Sequence, residues 1–258
     1  MPRRRVILLG GLACVAGARA QGGISRLGEA IDKAGAQRML SQRMGKAWLG
    51  LLQPELAERA RQVLQASEQR FQRQLGELLA FAPTPEITGS YKALQHRFGD
   101  YRLLLQSPPS ASRVDELLQA AGEVLNLAQL ATGQLQARSA TAAAGLVNLA
   151  GRQRMLSQRL ALFFLAHQHG ARPQLVQAEA TRARAEFEVA MQTLVDAPEA
   201  TPAIQANLAL ARNQWVFLQA ALNGESQGQQ AASQVFLASE NLLAVMETVT
   251  GQFAGQLA

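Results

Sequence analysis

Two segments of this chain, Ala34 to Arg43 (AGAQRMLSQR) and Ala150 to Arg159 (AGRQRMLSQR), carry the residue types and spacing best suited to chemistry. At helical spacing, Ile31, Ala34, Gly35, Arg38, Ser41, Gln42, Gly45 and Leu49 share one side. Val147, Ala150, Gly151, Arg154, Ser157, Gln158, Ala161 and Leu165 repeat the pattern. Small residues in register let two helix backbones approach closely and press an Arg at the centre of the stripe toward the partner helix. A guanidinium held there is costly unless a carboxylate, a set of carbonyls or a bound anion satisfies it. The only nearby acid is Asp32, at the outer end of the first stripe. If a bound anion is what satisfies them, its ligands are Arg38 and Arg154, with Gly35 and Gly151 as close-approach positions and Gln42 and Gln158 beside them. The plainer alternative pairs each Arg with a carboxylate from another helix, such as Glu68, Glu186 or Glu240, and leaves the small residues to pack.

The elements that position these stripes repeat with them. Ile31 to Leu49 aligns without gaps to Val147 to Leu165 at an offset of 116, with ten of nineteen positions identical. Weaker matches follow at Phe71 and Phe187, Leu78 and Leu194, Pro83 and Pro198, and Thr132-Gly133-Gln134 and Thr250-Gly251-Gln252. Apolar residues recur at three and four between breakers such as Pro54, Pro83, Pro85, Pro108-Pro109, Pro173 and Asn223-Gly224. This pattern predicts helices over 24–52, 55–82, 86–106, 112–138, 141–169, 173–196, 202–223 and 227–256. The expected fold is all-α, two tandem up-down four-helix bundles over 24–138 and 140–258. No proline interrupts residues 110 to 172, so the fourth and fifth helices are candidates for fusion into one rod.

Residues 1–20 read as a cleavable signal peptide: Arg3, Arg4 and Arg5 precede an apolar run from Val6 to Ala18 that ends in Ala18-Arg19-Ala20. The run is too short to span a bilayer, and no later stretch is long and apolar enough either. Four of the 25 basic residues and none of the 19 acidic ones precede the cleavage site, which takes the net charge from +6 to +2. That balance, with no clustered basic face, argues against nucleic acid as a partner. The one cysteine, Cys14, lies in the signal, so neither disulfides nor thiolate metal sites are expected beyond it. The expected location is the periplasm.

AGAQRMLSQR and AGRQRMLSQR resemble the first-helix signature of the type IV pilus chemotaxis transducer N-terminal domain, the PilJ-type or NarX-like domain of nitrate and nitrite sensors. The resemblance implies that the Arg before Met binds the anion where two first helices meet. Those positions are Arg38 and Arg154, with Gly35 and Gly151 at the approach. The family pattern places Asn and Lys ahead of the Ala-Gly pair. Asn148 fits while Asp32 departs, and Lys33 fits while Leu149 departs; an acid near the pocket would weaken anion binding.

Other features carry less. His167 and His169 diverge by roughly 200° on a helix and cannot share a metal; Met39, Met44, Met155, Trp48, Phe163, Phe164, Phe187, Trp215 and Phe217 read as core. No metal, cofactor or enzymatic constellation is expected. The reading is a periplasmic protein that binds or senses a small anion, nitrate or nitrite foremost, through Arg38 and Arg154 of one molecule. It has no output module of its own and passes its response to a protein partner in the envelope. The alternative is a non-ligand-binding envelope protein accessory to a pilus, chemotaxis or transport system, or a homodimer in which each unit pairs with its own copy.

Overall fold

Threonine and proline set the starts of the helices that follow turns. Thr84 accepts from the Ile87 amide just ahead of Pro85, and Thr201 accepts from the Ile204 amide ahead of Pro202. Both place a side-chain acceptor on an amide with no intrahelical partner and a pre-formed φ at the first helical position. Stops use glycine where the chain needs a positive φ, at Gly170 (φ 89°) and Gly224 (φ 81°).

The computed structural model describes residues 23–139, 141–224 and 229–257. Its helices are α1 (Leu27–Gly50), α2 (Ala57–Phe81), α3 (Pro85–Gln106), α4 (Val114–Gln136), α5 (Ala142–Gln168), α6 (Pro173–Asp196), α7 (Pro202–Leu222) and α8 (Gln229–Ala254). One 3-10 turn, Ala111–Arg113, precedes α4. The eight expected helices are present, no end moving by more than three residues, and no strand occurs among the described residues. The signal-peptide reading of residues 1–20 falls outside the described residues. No described helix is long and apolar enough to cross a membrane.

In the first unit α1 packs on α2 and α4, and α3 closes the ring against both; in the second, α5 packs on α6 and α8 with α7 opposite. The largest contact in the molecule joins the units, α1 against α5, with α8 touching α1 and α4 touching α5 beside it. Residues 116 apart meet across this seam. Gln53 lies 3.2 Å from His169, and an added Cβ on Gly35 would lie 3.8 Å from the Gly151 Cα. The two helices therefore run parallel, and an approximate two-fold relates the units. A single hydrophobic core runs through both.

This arrangement explains why α4 and α5 do not fuse. Gln42 bonds to Ala121 and Arg38 to Gln129, so α4 runs antiparallel to α1, and a chain that continues into α5 parallel to α1 must reverse. It does so after Gln136, where Thr141 caps α5 through the Ala144 amide.

Burial around α1 also exceeds what one apolar stripe predicts. From Ala34 to Gly50 every residue except Arg43 is buried, because α1 is surrounded by α2, α4, α5 and α8. Of the expected core aromatics, Trp48, Phe163, Phe187 and Trp215 are buried and Phe164 is partly so. Phe217 is a correction: it is 62% exposed, at the rim of a groove between α7 and α8.

Candidate functional site

Arg38 and Arg154 converge at the middle of the α1–α5 seam. Both are fully buried. A Cβ added to Gly35 would lie 3.2 Å from Arg38 Nη2 and 3.3 Å from Arg154 Nη2; one added to Gly151 would lie 3.3 Å from each. The glycine pair is thus the floor on which the two guanidinium groups rest. Helical side chains lean toward the N-terminus, and each Arg reaches back along the opposite helix to the carbonyl six positions before its counterpart. Arg38 Nη2 donates to Asn148 O at 3.2 Å and Arg154 Nη2 to Asp32 O at 3.1 Å.

The two sides then differ. Arg154 Nη2 also lies 2.8 Å from the Asp32 carboxylate. Among the described residues Arg38 meets no carboxylate. Its Nη1 donates to Gln129 Oε1 at 2.6 Å, and that oxygen also accepts from Arg152 Nη1 at 3.2 Å. Burial, then the like charges of Arg152 and Arg154, push the Arg38 guanidinium down to about 9, with Glu186 opposing. The Nε atoms of both arginines are buried without a hydrogen-bond partner.

The carboxylates that could have neutralised the pair are engaged elsewhere. Glu68 binds Arg102, Glu186 binds Arg152, and Glu240 binds Arg43 and Lys46. None of those three acids meets Arg38 or Arg154, but the alternative of pairing with a carboxylate from another helix holds for Arg154, through Asp32 of α1, and not for Arg38. The counter-charge that does arrive is Asp32, from the first unit to the second unit's arginine. Gln42 and Gln158 sit one turn below with their amide donors pinned to neighbouring helices, Gln42 to Ala121 O at 3.1 Å and Gln158 to Ser239 O at 2.9 Å. The Gln42 carbonyl accepts from Arg159 at 3.2 Å.

The stripe pattern misses four participants. Arg152 stands where the first unit has Ala36, and Gln129 comes from α4, outside the repeated segment. Lys46, wholly buried, is held by Ser239 at 2.9 Å and Glu240 at 2.7 Å, where the second unit has Leu162. Glu240 is held down to about 2; Lys46, then Arg43, outweigh the burial that opposes them. The usable signal was the difference between copies: positively charged residues present in one unit and absent from the other.

A parallel pair of helices with buried arginines at a glycine contact, each embedded in its own four-helix bundle, makes this one helical domain present twice. The chain belongs to the type IV pili methyl-accepting chemotaxis transducer N-terminal family, whose model matches residues 24–121 and again 135–239. That family is sensory and non-enzymatic. No curated protein and no solved structure matches the chain.

Proposed function

We propose that the Arg38–Arg154 pair is the receptor site for a small monoanion, nitrate or nitrite foremost, in a periplasmic sensory protein that hands its response to an envelope partner. The observation that carries this reading is the charge balance at the seam. Of the two buried guanidinium groups, only Arg154 contacts a carboxylate among the described residues, Asp32, so a positive charge is left without a directly bound counter-ion at Arg38. Unit charges roughly 7 Å apart repel by about 2 to 3 kcal/mol at an effective dielectric near 20. A monoanion relieves that repulsion and favours the packing of α1 on α5 that the bound state requires. Asp32 then sets the ligand's charge: it meets half the demand and leaves room for one negative charge.

Titration calorimetry with nitrate and with nitrite tests this. Binding to the wild-type chain that is lost in Arg38→Ala supports it; no heat with either anion would count against it.

The second reading, a protein-docking accessory of the envelope, draws on Phe217 and Leu237, which are 62% and 43% exposed along a groove between α7 and α8. A contiguous exposed apolar patch is the kind of surface that marks an interaction site. It is compatible with the first reading, since a sensor must touch something.

A further inference from the structure

The Arg38 side of the seam has a way in. A groove of about 340 Å³ lies over α5 between α4 and α6, and Gln129, Arg152, Arg159, Glu179, Arg182 and Glu186 are among the residues that line it. Its two acids are already neutralised, Glu186 by Arg152 and Glu179 by Arg159 at 2.6 Å. Arg182 is exposed and makes no ion pair among the described residues, so the groove presents net positive charge. The inner wall is the Gln129 amide. Beyond it lies Arg38, with a buried and unpartnered Nε.

Gln129 Oε1 bridges two guanidinium groups, 2.6 Å from Arg38 Nη1 and 3.2 Å from Arg152 Nη1. An oxygen shared between two cationic forks is the place an anion's oxygen takes, and here a neutral amide oxygen fills it. The equivalent position on α8 is Glu247, paired with Arg70 at 2.5 Å. The other side of the two-fold therefore has an acid where this side has an amide, and an anion meets less repulsion at Gln129.

We infer that Gln129 is a displaceable plug and Arg152 a ligand residue of the anion site. A planar monovalent oxyanion enters along the α4–α6 groove, displaces the Gln129 amide, and places its oxygens on Arg38 and Arg152. Arg154, already neutralised by Asp32, supports the site without sharing the ligand equally. This inference rests on the anion-receptor reading and adds the route, the second ligand and the competitor.

Calorimetry of the full chain with nitrate separates the two ideas. Removing the plug in Gln129→Ala takes the shared amide oxygen from Arg38 and Arg152, which keep Asn148 O and Glu186, and nitrate should bind about tenfold tighter. Arg152→Ala, which installs the first unit's residue, should weaken nitrate about tenfold or more. Arg152→Gln, which keeps a donor without the charge, serves if the alanine variant does not fold. If Arg38→Ala abolishes binding while Gln129→Ala and both Arg152 variants leave it unchanged, the receptor reading stands and the plug and second ligand are overturned. If neither the wild-type chain nor Gln129→Ala binds nitrate at millimolar concentration, both fall together. Binding that appears only in Gln129→Ala establishes the plug directly.

Discussion

Arg154 crosses the α1–α5 seam to reach Asp32, its Nη2 2.8 Å from the carboxylate and 3.1 Å from the backbone carbonyl of the same residue. The mirror contact, Arg38 to Asn148, keeps the carbonyl bond at 3.2 Å and has no carboxylate, because Asn148 carries an amide, which donates to Gln136. One substitution between the copies, Asp for Asn, thus splits two related arginines into a neutralised member and an uncompensated one.

Stability should register that split. Methionine fills much of an arginine's volume without its charge. Arg38→Met should leave the anion-free protein unchanged or slightly more stable, since it removes a buried cation that faces like charges. Arg154→Met strands Asp32 and should cost roughly 2 kcal/mol. Denaturant unfolding of both variants decides it, and equal losses would mean that the two arginines are equivalent.

The glycine floor leads to a second expectation. Alanine at Gly35 or at Gly151 gains about 1 kcal/mol of helix propensity. It also sets a methyl 3.2 to 3.3 Å from two buried guanidinium groups, which must give way by a few tenths of an ångström. Each single variant should therefore lie near neutral. The double variant places two methyls in one contact, so its loss should exceed the sum of the singles in a thermal double-mutant cycle. Additive behaviour would mean that the helices separate freely at this point.

Gln153 is wholly buried, and neither amide atom has a hydrogen-bond partner. Its first-unit counterpart Gln37 donates to Gln74 at 3.4 Å, but the residue matching Gln74 in the second unit is Ala190. Gln153→Met should stabilise by about 1 to 2 kcal/mol, and Gln37→Met, which deprives Gln74 of its donor, by less or not at all. Chemical denaturation measures the difference; a loss at Gln153 would mean that a solvent molecule holds the amide.

The repeat and the eight helices are legible in the sequence, because they follow from local periodicity and from two near-identical segments. The convergence of Arg38 with Arg154 is one of the arrangements the sequence leaves open, expected from the family resemblance, and Asp32 stands out as the nearby acid; which arginine it meets, and the other partners, are not legible. Gln129 reaches Arg38 from 91 positions away and Asp32 reaches Arg154 from 122, and nothing in a helical period reports which helix will stand opposite. Periodicity also gave α1 a single buried face. Its enclosure on nearly all sides follows from the packing of one four-helix unit on another, which buries polar residues outside the stripe, such as Lys46. Phe217 errs the other way, an aromatic at the rim of the groove between α7 and α8.

Lys46 supplies the last prediction. Burial pushes its ammonium down to about 8, against the pull of Glu240, while Arg43 and Arg59 add to the downward shift. In the unfolded chain the same group titrates near its ordinary value of 10.5. Between those values the unfolded state holds more protons than the folded one, so stability should rise as pH increases from about 8 toward 10. Above about 10 the buried hydroxyls of Tyr91 and Tyr101, which burial pushes up, act in the opposite sense and close the window. Lys46→Leu, which installs the residue that the second unit carries at Leu162, should remove the rise that begins near pH 8 and leave the part that Arg38, pushed down to about 9, adds above it. It leaves Glu240 its bonds to Arg43 at 3.0 and 2.5 Å, so the acid is not stranded and stability near neutral pH should change by no more than about 1 kcal/mol. Urea unfolding of both proteins at several pH values from 7 to 10 tests the pair of claims. A wild-type curve that falls across this range, or a Lys46→Leu curve that rises as steeply as wild type, would show that Lys46 is not the titrating group.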